Sequence, residues 1–270
     1  MKKTIVINRI IVASADDPGT RTVRLLLEFL TLMKGQKKVI VPTGETFRTA
    51  WTETFSQAII QNPKLISGVS FYHMDEYMNP KDPTRLIHAR HPGSFKTYWR
   101  KCVEEQLKKH DKRLLAQFNR RRHWPNPDLE SPQTFSIAIA GVGREGHLAF
   151  NERGTKFNQG TWIAELSRST QEANNPRGVP FGEMPPTHAV TIGLKEIGTA
   201  KILVVAAKGA SKKAAVLRAI FGKITKDCPA SLAQLMAAQE GKKVMFFVCP
   251  EIYSAIYKKA KARRAKAGKS

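Results

Sequence analysis

The chain has 270 residues, 41% hydrophobic and 25% charged, a balance that fits one globular core and excludes a largely disordered chain. No apolar run approaches the roughly 20 residues a bilayer requires, so no membrane partner is expected. The net charge is +23, which admits a polyanion partner or a field that draws in anionic substrates. No zinc finger, helix-turn-helix or aromatic RNA-binding motif accompanies that charge. Much of it sits in Arg120-Arg121-Arg122 and in the run from Lys258 to Lys266, and such runs are usually solvated faces or frayed ends. Nucleic acid therefore ranks last among the expected partners.

Thr4–Ile7 opens the chain as a strand. Asn8 and Arg9 interrupt the apolar stretch, so it does not read as an export signal, and the expected location is the cytosol. Lys37–Val41 is a second strand, ending at Pro42-Thr43-Gly44, and a helical pattern carries Thr49, Trp51, Thr52 and Phe55 onward. Strands follow at Val69–Met74 and Phe135–Ala140, each ending in a polar or Gly-rich turn. His188–Ile192, Lys201–Ala206 and Lys243–Val248 read as further strands, with helices at Ser211–Phe221, Pro229–Ala238 and from Pro250. Near-continuous apolar strands alternating with helices predict a three-layer α/β/α sandwich around a mostly parallel, Rossmann-like sheet. One domain spans 1–257 and a basic tail 258–270. In such sheets ligands lie at the carboxyl ends of the strands, so the residues there carry the functional reading. Cys102, Cys228 and Cys249 are far apart without C-x-x-C spacing, so neither disulfides nor a metal site is expected.

Thr43-Gly44-Glu45-Thr46, between a strand and a helix, has the makings of a phosphate cradle of backbone N–H groups and hydroxyls. It also reads as a plain turn with Thr46 as helix cap, and Glu45 fits an anion site only if its side chain turns to solvent. Asp75 and Glu76 follow an apolar strand. Adjacent carboxylates on extended backbone point to opposite sides, so one at most faces a site, where it could abstract a proton from carbon. A solvated loop acid is the bland alternative. Gly141-Val142-Gly143-Arg144-Glu145-Gly146-His147 makes a sharp turn after the strand Phe135–Ala140 but lacks the G-x-G-x-x-G order of a dinucleotide site. His147 lies between Glu145 and Glu152 in the sequence, and a carboxylate partner would fix its tautomer and raise its basicity.

These stretches together resemble the glucosamine-6-phosphate deaminase family, collinearly from Val39 to about Cys249. Met74-Asp75-Glu76-Tyr77 is similar to that family's MDEY strand end and His91-Pro92-Gly93-Ser94-Phe95 to its HP-x-SY helix start. Gly146-His147-Leu148-Ala149-Phe150-Asn151-Glu152 is similar to its GHIAFNE. Glu165-Leu166 with Thr170 and Ala173-Asn174, Pro186–Gly193, and Gly209-Ala210-Ser211-Lys212 resemble three later blocks. The resemblance implies a sugar-phosphate substrate, no cofactor, and an oligomeric state that differs among members, a homo-oligomer included. It implies that His147, held by Glu145 and Glu152, opens the sugar ring, and that Asp75 moves a proton from C2 to C1. Thr43 to Thr46, Lys212 and Arg177 would hold the phosphate. Glu145 stands where the family has Asp or Asn, Glu45 and Phe47 replace a small residue and a proline, and the family's phosphate-binding arginine aligns on Pro176, one residue before Arg177. The sister lactonases, which hydrolyse 6-phosphogluconolactone, would read DER and GHTASLF at these places. A non-catalytic sugar-phosphate-binding relative is the third reading.

Overall fold

The computed structural model describes residues 3–128, 134–175, 178–182 and 184–267. Among them the strands β1 (Thr4–Ile7), β2 (Ile10–Ser14), β3 (Lys37–Val41), β4 (Val69–His73), β7 (Arg122–His123), β8 (Ile137–Gly141), β11 (Ile202–Ala207) and β12 (Lys243–Val248) form one sheet. Its order is β1-β2-β12-β11-β8-β3-β4-β7, and every neighbouring pair is parallel except the β1–β2 hairpin. Successive strand residues alternate between two apolar layers, as the pleat requires. Ile40, Ala138, Ala140, Leu203 and Val205 face one cluster with Val216, Ile220, Met236 and Ile252. Val39, Val41, Ile137, Ile139 and Val204 face the other with Val23, Leu26, Trp51, Phe55 and Trp99. Helices α1 (Pro18–Leu32), α2 (Ser56–Gln61), α3 (Phe95–Trp99), α4 (Glu105–His110) and α5 (Lys112–Asn119) serve the second layer; α6 (Arg168–Asn174) belongs to neither, and α7 (Leu194–Thr199), α8 (Lys213–Phe221), α9 (Leu232–Ala238) and α10 (Pro250–Ala267) serve the first. The expected three-layer sandwich is therefore present.

The topology has one reversal. From β3 the chain winds outward to β4 and β7, then returns to β8 beside β3 and winds the other way through β11 and β12. Loops after β3 and β8 thus part in opposite directions and leave a crevice at their carboxyl ends.

His188–Ile192 departs from the expectation of a place in the parallel sheet. β10 (His188–Thr191) lies instead in a small antiparallel sheet ordered β6 (Asp82–Leu86), β5 (Asp75–Asn79), β10, β9 (Trp162–Glu165). Its apolar run is buried by a third cluster around Tyr77, Phe150, Ala164 and Ala189. Composition alone cannot tell which sheet a short apolar strand joins, because both bury it. Arg120-Arg121-Arg122 also departs from a purely solvated reading. The Arg122 side chain is 8% exposed, pairs with Glu104, and donates from Nε to His73 Nε2 at 3.1 Å beneath the rings of Phe118 and Trp124. α10 runs without a break through residue 257 to Ala267. Within it Arg263 donates to the Phe221 carbonyl at 2.7 Å, and the charged ends of Lys259 and Arg263 lie over the Phe221 ring. No helix of the described residues is long and apolar enough to cross a membrane.

Candidate active site

The loops after β3, β8 and β11 converge on a cavity of about 400 Å³. These strands are adjacent in the order β11-β8-β3, so the turn from Gly141 to His147 is the middle wall. Pro42–Phe47 flank it on one side and Lys208–Lys212 on the other. Gly44 (φ 101°) and Gly209 (φ 91°) adopt the left-handed conformation that a side chain resists. Each starts a single 3-10 turn, Glu45–Phe47 after Gly44 and Ala210–Lys212 after Gly209.

Thr43, Gly44, Glu45 and Thr46 all line the cavity. The Glu45 carboxylate turns outward to Arg48, with Oε1 accepting from Nη2 at 2.5 Å and a side chain 79% exposed. Arg48 lies over the Tyr98 ring, and Tyr98 donates its hydroxyl to the Gly44 carbonyl at 2.8 Å. The acid in this loop is thus neutralised away from the cavity and helps clamp the loop from behind.

Met74 is where the chain leaves the main sheet for the small one, its N–H bonded to Val41 and its carbonyl to the Ile192 N–H. Asp75 is the next residue and lines the cavity, 6% exposed. Its Oδ1 accepts from Thr191 Oγ1 at 2.5 Å and from the Phe150 N–H at 3.3 Å. Burial dominates over these donors and raises its pKa from 3.8 to about 7. Glu76 points the other way, fully buried, accepting from Ser94 Oγ at 2.7 Å and from the N–H groups of Tyr77, Phe95 and Lys96 at 2.9–3.1 Å. That carboxylate fastens the start of α3, whose N-cap is Ser94, so the pair divides as extended backbone demands.

His147 stands on the middle wall with Nδ1 3.6 Å from Glu152 Oε2. Gly143 gives its ring room: a Cβ there would lie 1.9 Å from His147 Nε2. Burial would raise the Glu152 pKa, but the imidazole of His147 and the hydroxyls of Thr170 and Ser167 outweigh it and hold the carboxyl below its ordinary value. Glu152 is therefore an anion able to stabilise an imidazolium. Asn151 fixes the same segment, its Nδ2 donating to the carbonyls of Leu148 and Ile192.

Glu145 lines the cavity, but its side chain makes no hydrogen bond or ion pair with His147; its backbone carbonyl accepts from Arg218 Nη2 at 2.9 Å. The structure thus brings Glu152 to the histidine and leaves Glu145 a neighbour on the wall. The turn at Gly146 sends residue 145 toward α8 and residue 147 into the cavity. Lys212 lines the far side, its pKa lowered by burial and by the charge of Arg144. Arg177 and Pro176 lie outside the described residues.

No motif in the sequence marks Thr191 and the Phe150 N–H as holders of Asp75, or Arg144 and Ser211 as cavity residues, the places the structure gives them. Thr191 could have been found only by pairing β10 against β5, where it faces Asp75. Among the described residues no group of three or more His, Cys, Asp or Glu side chains could hold a metal ion. A larger open groove, about 830 Å³, runs along the start of α1 and α10, but among the described residues no histidine and no buried carboxylate lines it.

No family model matches the chain. Among curated proteins, the glucosamine-6-phosphate deaminase of Staphylococcus epidermidis is 32% identical over 185 residues, covering 64% of this chain and 71% of the relative. Among solved structures, a monomeric glucosamine-6-phosphate deaminase superposes with a TM-score of 0.71 at 22% identity, covering 91% of this chain and 99% of the other. The 6-phosphogluconolactonase of Trypanosoma cruzi follows with a TM-score of 0.63 at 14% identity, covering 91% and 96%. At these identities the structural matches speak for the fold.

Proposed function

The chain belongs to the glucosamine-6-phosphate deaminase family, and from that premise we propose that it converts glucosamine 6-phosphate into fructose 6-phosphate and ammonia. The observation that carries the proposal is Asp75, a buried carboxylate on the cavity wall with a pKa near 7 and two donors fixing one of its oxygens. A base for a carbon-bound proton works best when its pKa lies near the working pH, and burial supplies that here.

In this reading His147, backed by the Glu152 anion, shuttles a proton between the sugar's C1 hydroxyl and its ring oxygen, opening the ring. Asp75 then removes the C2 proton. The electron pair of that bond forms the C1–C2 double bond of an enolamine while the aldehyde's C=O pair moves onto O1, which takes a proton from the substrate's ammonium group; the same carboxyl then returns its proton to C1. The product is a ketose-level imine at C2; water adds there, ammonia leaves, and a ketone remains. Lys212 and the loop from Thr43 to Thr46 hold the phosphate, a flexible point charge beside hydroxyls and turn N–H groups. No step calls for a metal or organic cofactor.

The sister lactonases share the fold, and lactone hydrolysis is the reading to be tested against. Lactone opening needs no base for a carbon-bound proton, only one for water, a task His147 backed by Glu152 can perform without Asp75. Purified protein offered glucosamine 6-phosphate should release ammonia and fructose 6-phosphate in equal amounts, with little turnover of 6-phosphogluconolactone in parallel. Lactone hydrolysis without ammonia release would replace this function with the other; neither activity would favour the non-catalytic binder.

A further inference from the structure

We propose that Arg144 is the guanidinium of the phosphate site, gripping the substrate's phosphate together with Lys212. This deepens the sugar-phosphate reading above and rests on it. Arg144 lies in the turn after β8, the middle of the three adjacent strands whose loops form the cavity. The loop of Lys212 and Ser211 is on one side of it and the loop of Thr43 and Thr46 on the other. A phosphate bridging these loops would meet Arg144 between hydroxyls from both.

Charge accounting singles out the same pair. Among the described residues, the cations on the cavity wall are Arg144, Lys208 and Lys212, and its acids are Glu45, Asp75 and Glu145. Lys208 is paired with Asp17 at 3.6 Å. Glu45 is held outward by Arg48, and Asp75 is committed to Thr191 and Phe150. Among the described residues neither Arg144 nor Lys212 has a carboxylate partner, and Lys212 feels the charge of Arg144. Two unpaired like charges on one concave wall repel, and a phosphomonoester dianion would relieve that repulsion. A planar guanidinium can also take two phosphate oxygens at once, which an ammonium cannot. The neighbouring Glu145 has its backbone carbonyl bound by Arg218, and among the described residues Arg144 is the cation of the turn that forms the middle wall.

The test uses Arg144→Met, Arg144→Lys and Lys212→Met in the full chain, read in two ways. Inorganic phosphate should raise the melting temperature of the unsubstituted protein in a saturable way, and this readout does not depend on turnover. Arg144→Met should weaken that apparent affinity by about 10- to 100-fold, the usual worth of a charge-assisted contact. Arg144→Lys should recover part of it. The Michaelis constant for glucosamine 6-phosphate should rise in step, and by more than kcat falls. Phosphate protection and KM unchanged in Arg144→Met, with Lys212→Met impaired, would overturn the role of Arg144 while leaving the deaminase reading intact. Absence of phosphate protection in the unsubstituted protein would overturn the phosphate site itself. Absence of ammonia release alongside intact, Arg144-dependent phosphate protection would overturn only the assigned reaction.

Discussion

Asp75 and Glu76 are adjacent carboxylates with opposite duties, and their surroundings say how each responds to substitution. The Asp75 anion is costly because burial is only partly offset by Thr191 and the Phe150 N–H. Its pKa is about 7 in the fold against 3.8 when exposed, so folding favours the protonated form. The stability this gives is fully present below pH 3.8 and is lost as the pH rises from there through about 7. The slope of that loss is about 1.4 kcal/mol for each tenfold fall in proton concentration. Asp75→Asn keeps the shape without the charge. It should cost at least about 100-fold in kcat with little change in KM, while raising the melting temperature above pH 7 and leaving it unchanged near pH 4. The unsubstituted enzyme should lose kcat as pH falls through about 7, where its base becomes protonated. Circular dichroism melts and a kcat–pH profile check both halves; a Tm gain that persists at pH 4 would remove the buried-anion explanation. Glu76→Gln should do the reverse. Four donors converge on that carboxylate, and an amide NH₂ would meet some of them donor to donor. A loss of roughly 2–4 kcal/mol in urea unfolding is expected. His147→Gln completes the residue scale: it should slow closed-ring substrate more than an open-chain analogue, and equal losses on both would refute ring opening.

At the scale of elements, the turn after β8 works because its small residues leave space for large ones. A Cβ on Gly143 would sit inside the His147 ring position, and the Gly143 N–H is itself bonded to the His147 carbonyl at 3.0 Å. The turn therefore closes around the histidine and cannot move aside cheaply. Gly143→Ala should displace the imidazole and lower kcat by about 100-fold or more, since an ångström of misplacement costs about that much. Far-ultraviolet circular dichroism should stay native, because β8 itself is untouched; unchanged turnover would show that the ring tolerates another rotamer. The turns after β3 and β11 share a left-handed glycine followed by one 3-10 turn. They flank the central turn symmetrically because β3 and β11 flank β8.

For the whole molecule, the charge of +23 divides into a used and an unused part. Arg122 is built into the core edge, and Arg263 and Lys259 cover Phe221 at the end of α8. Removing residues from Lys258 onward should therefore do two things. Salt-dependent retention on an immobilised polyanion should fall, because long-range field drops with the charge. The melting temperature should also fall by the equivalent of about 1–2 kcal/mol, through the lost carbonyl bond and cation–ring contacts. Turnover at moderate salt should hold, since among the described residues none after Lys212 lines the cavity. A large loss of kcat at moderate salt would mean that the end of α10 supports the site from a distance.

Local patterns in the sequence determined the sandwich, the strands from Lys37, Val69, Phe135, Lys201 and Lys243, and the opposed facing of Asp75 and Glu76. Those features follow from alternation, apolar continuity and the pleat, which act between residues close along the chain. The motifs carried the cavity residues for the same reason, since each loop directly follows its own strand. Tertiary structure alone decided that His188–Thr191 belongs to the small sheet, and so that Thr191 and the Phe150 N–H set the charge state of Asp75. It likewise decided that Glu152, five residues on, rather than Glu145 stands beside His147, and that Glu45 turns outward to Arg48. Each of these depends on which strands became neighbours or on how one turn closed. The Thr191–Asp75 contact joins residues 116 positions apart, which no spacing along a chain encodes, whereas the Glu45–Arg48 and His147–Glu152 pairs are close in sequence and were decided by how their turns closed.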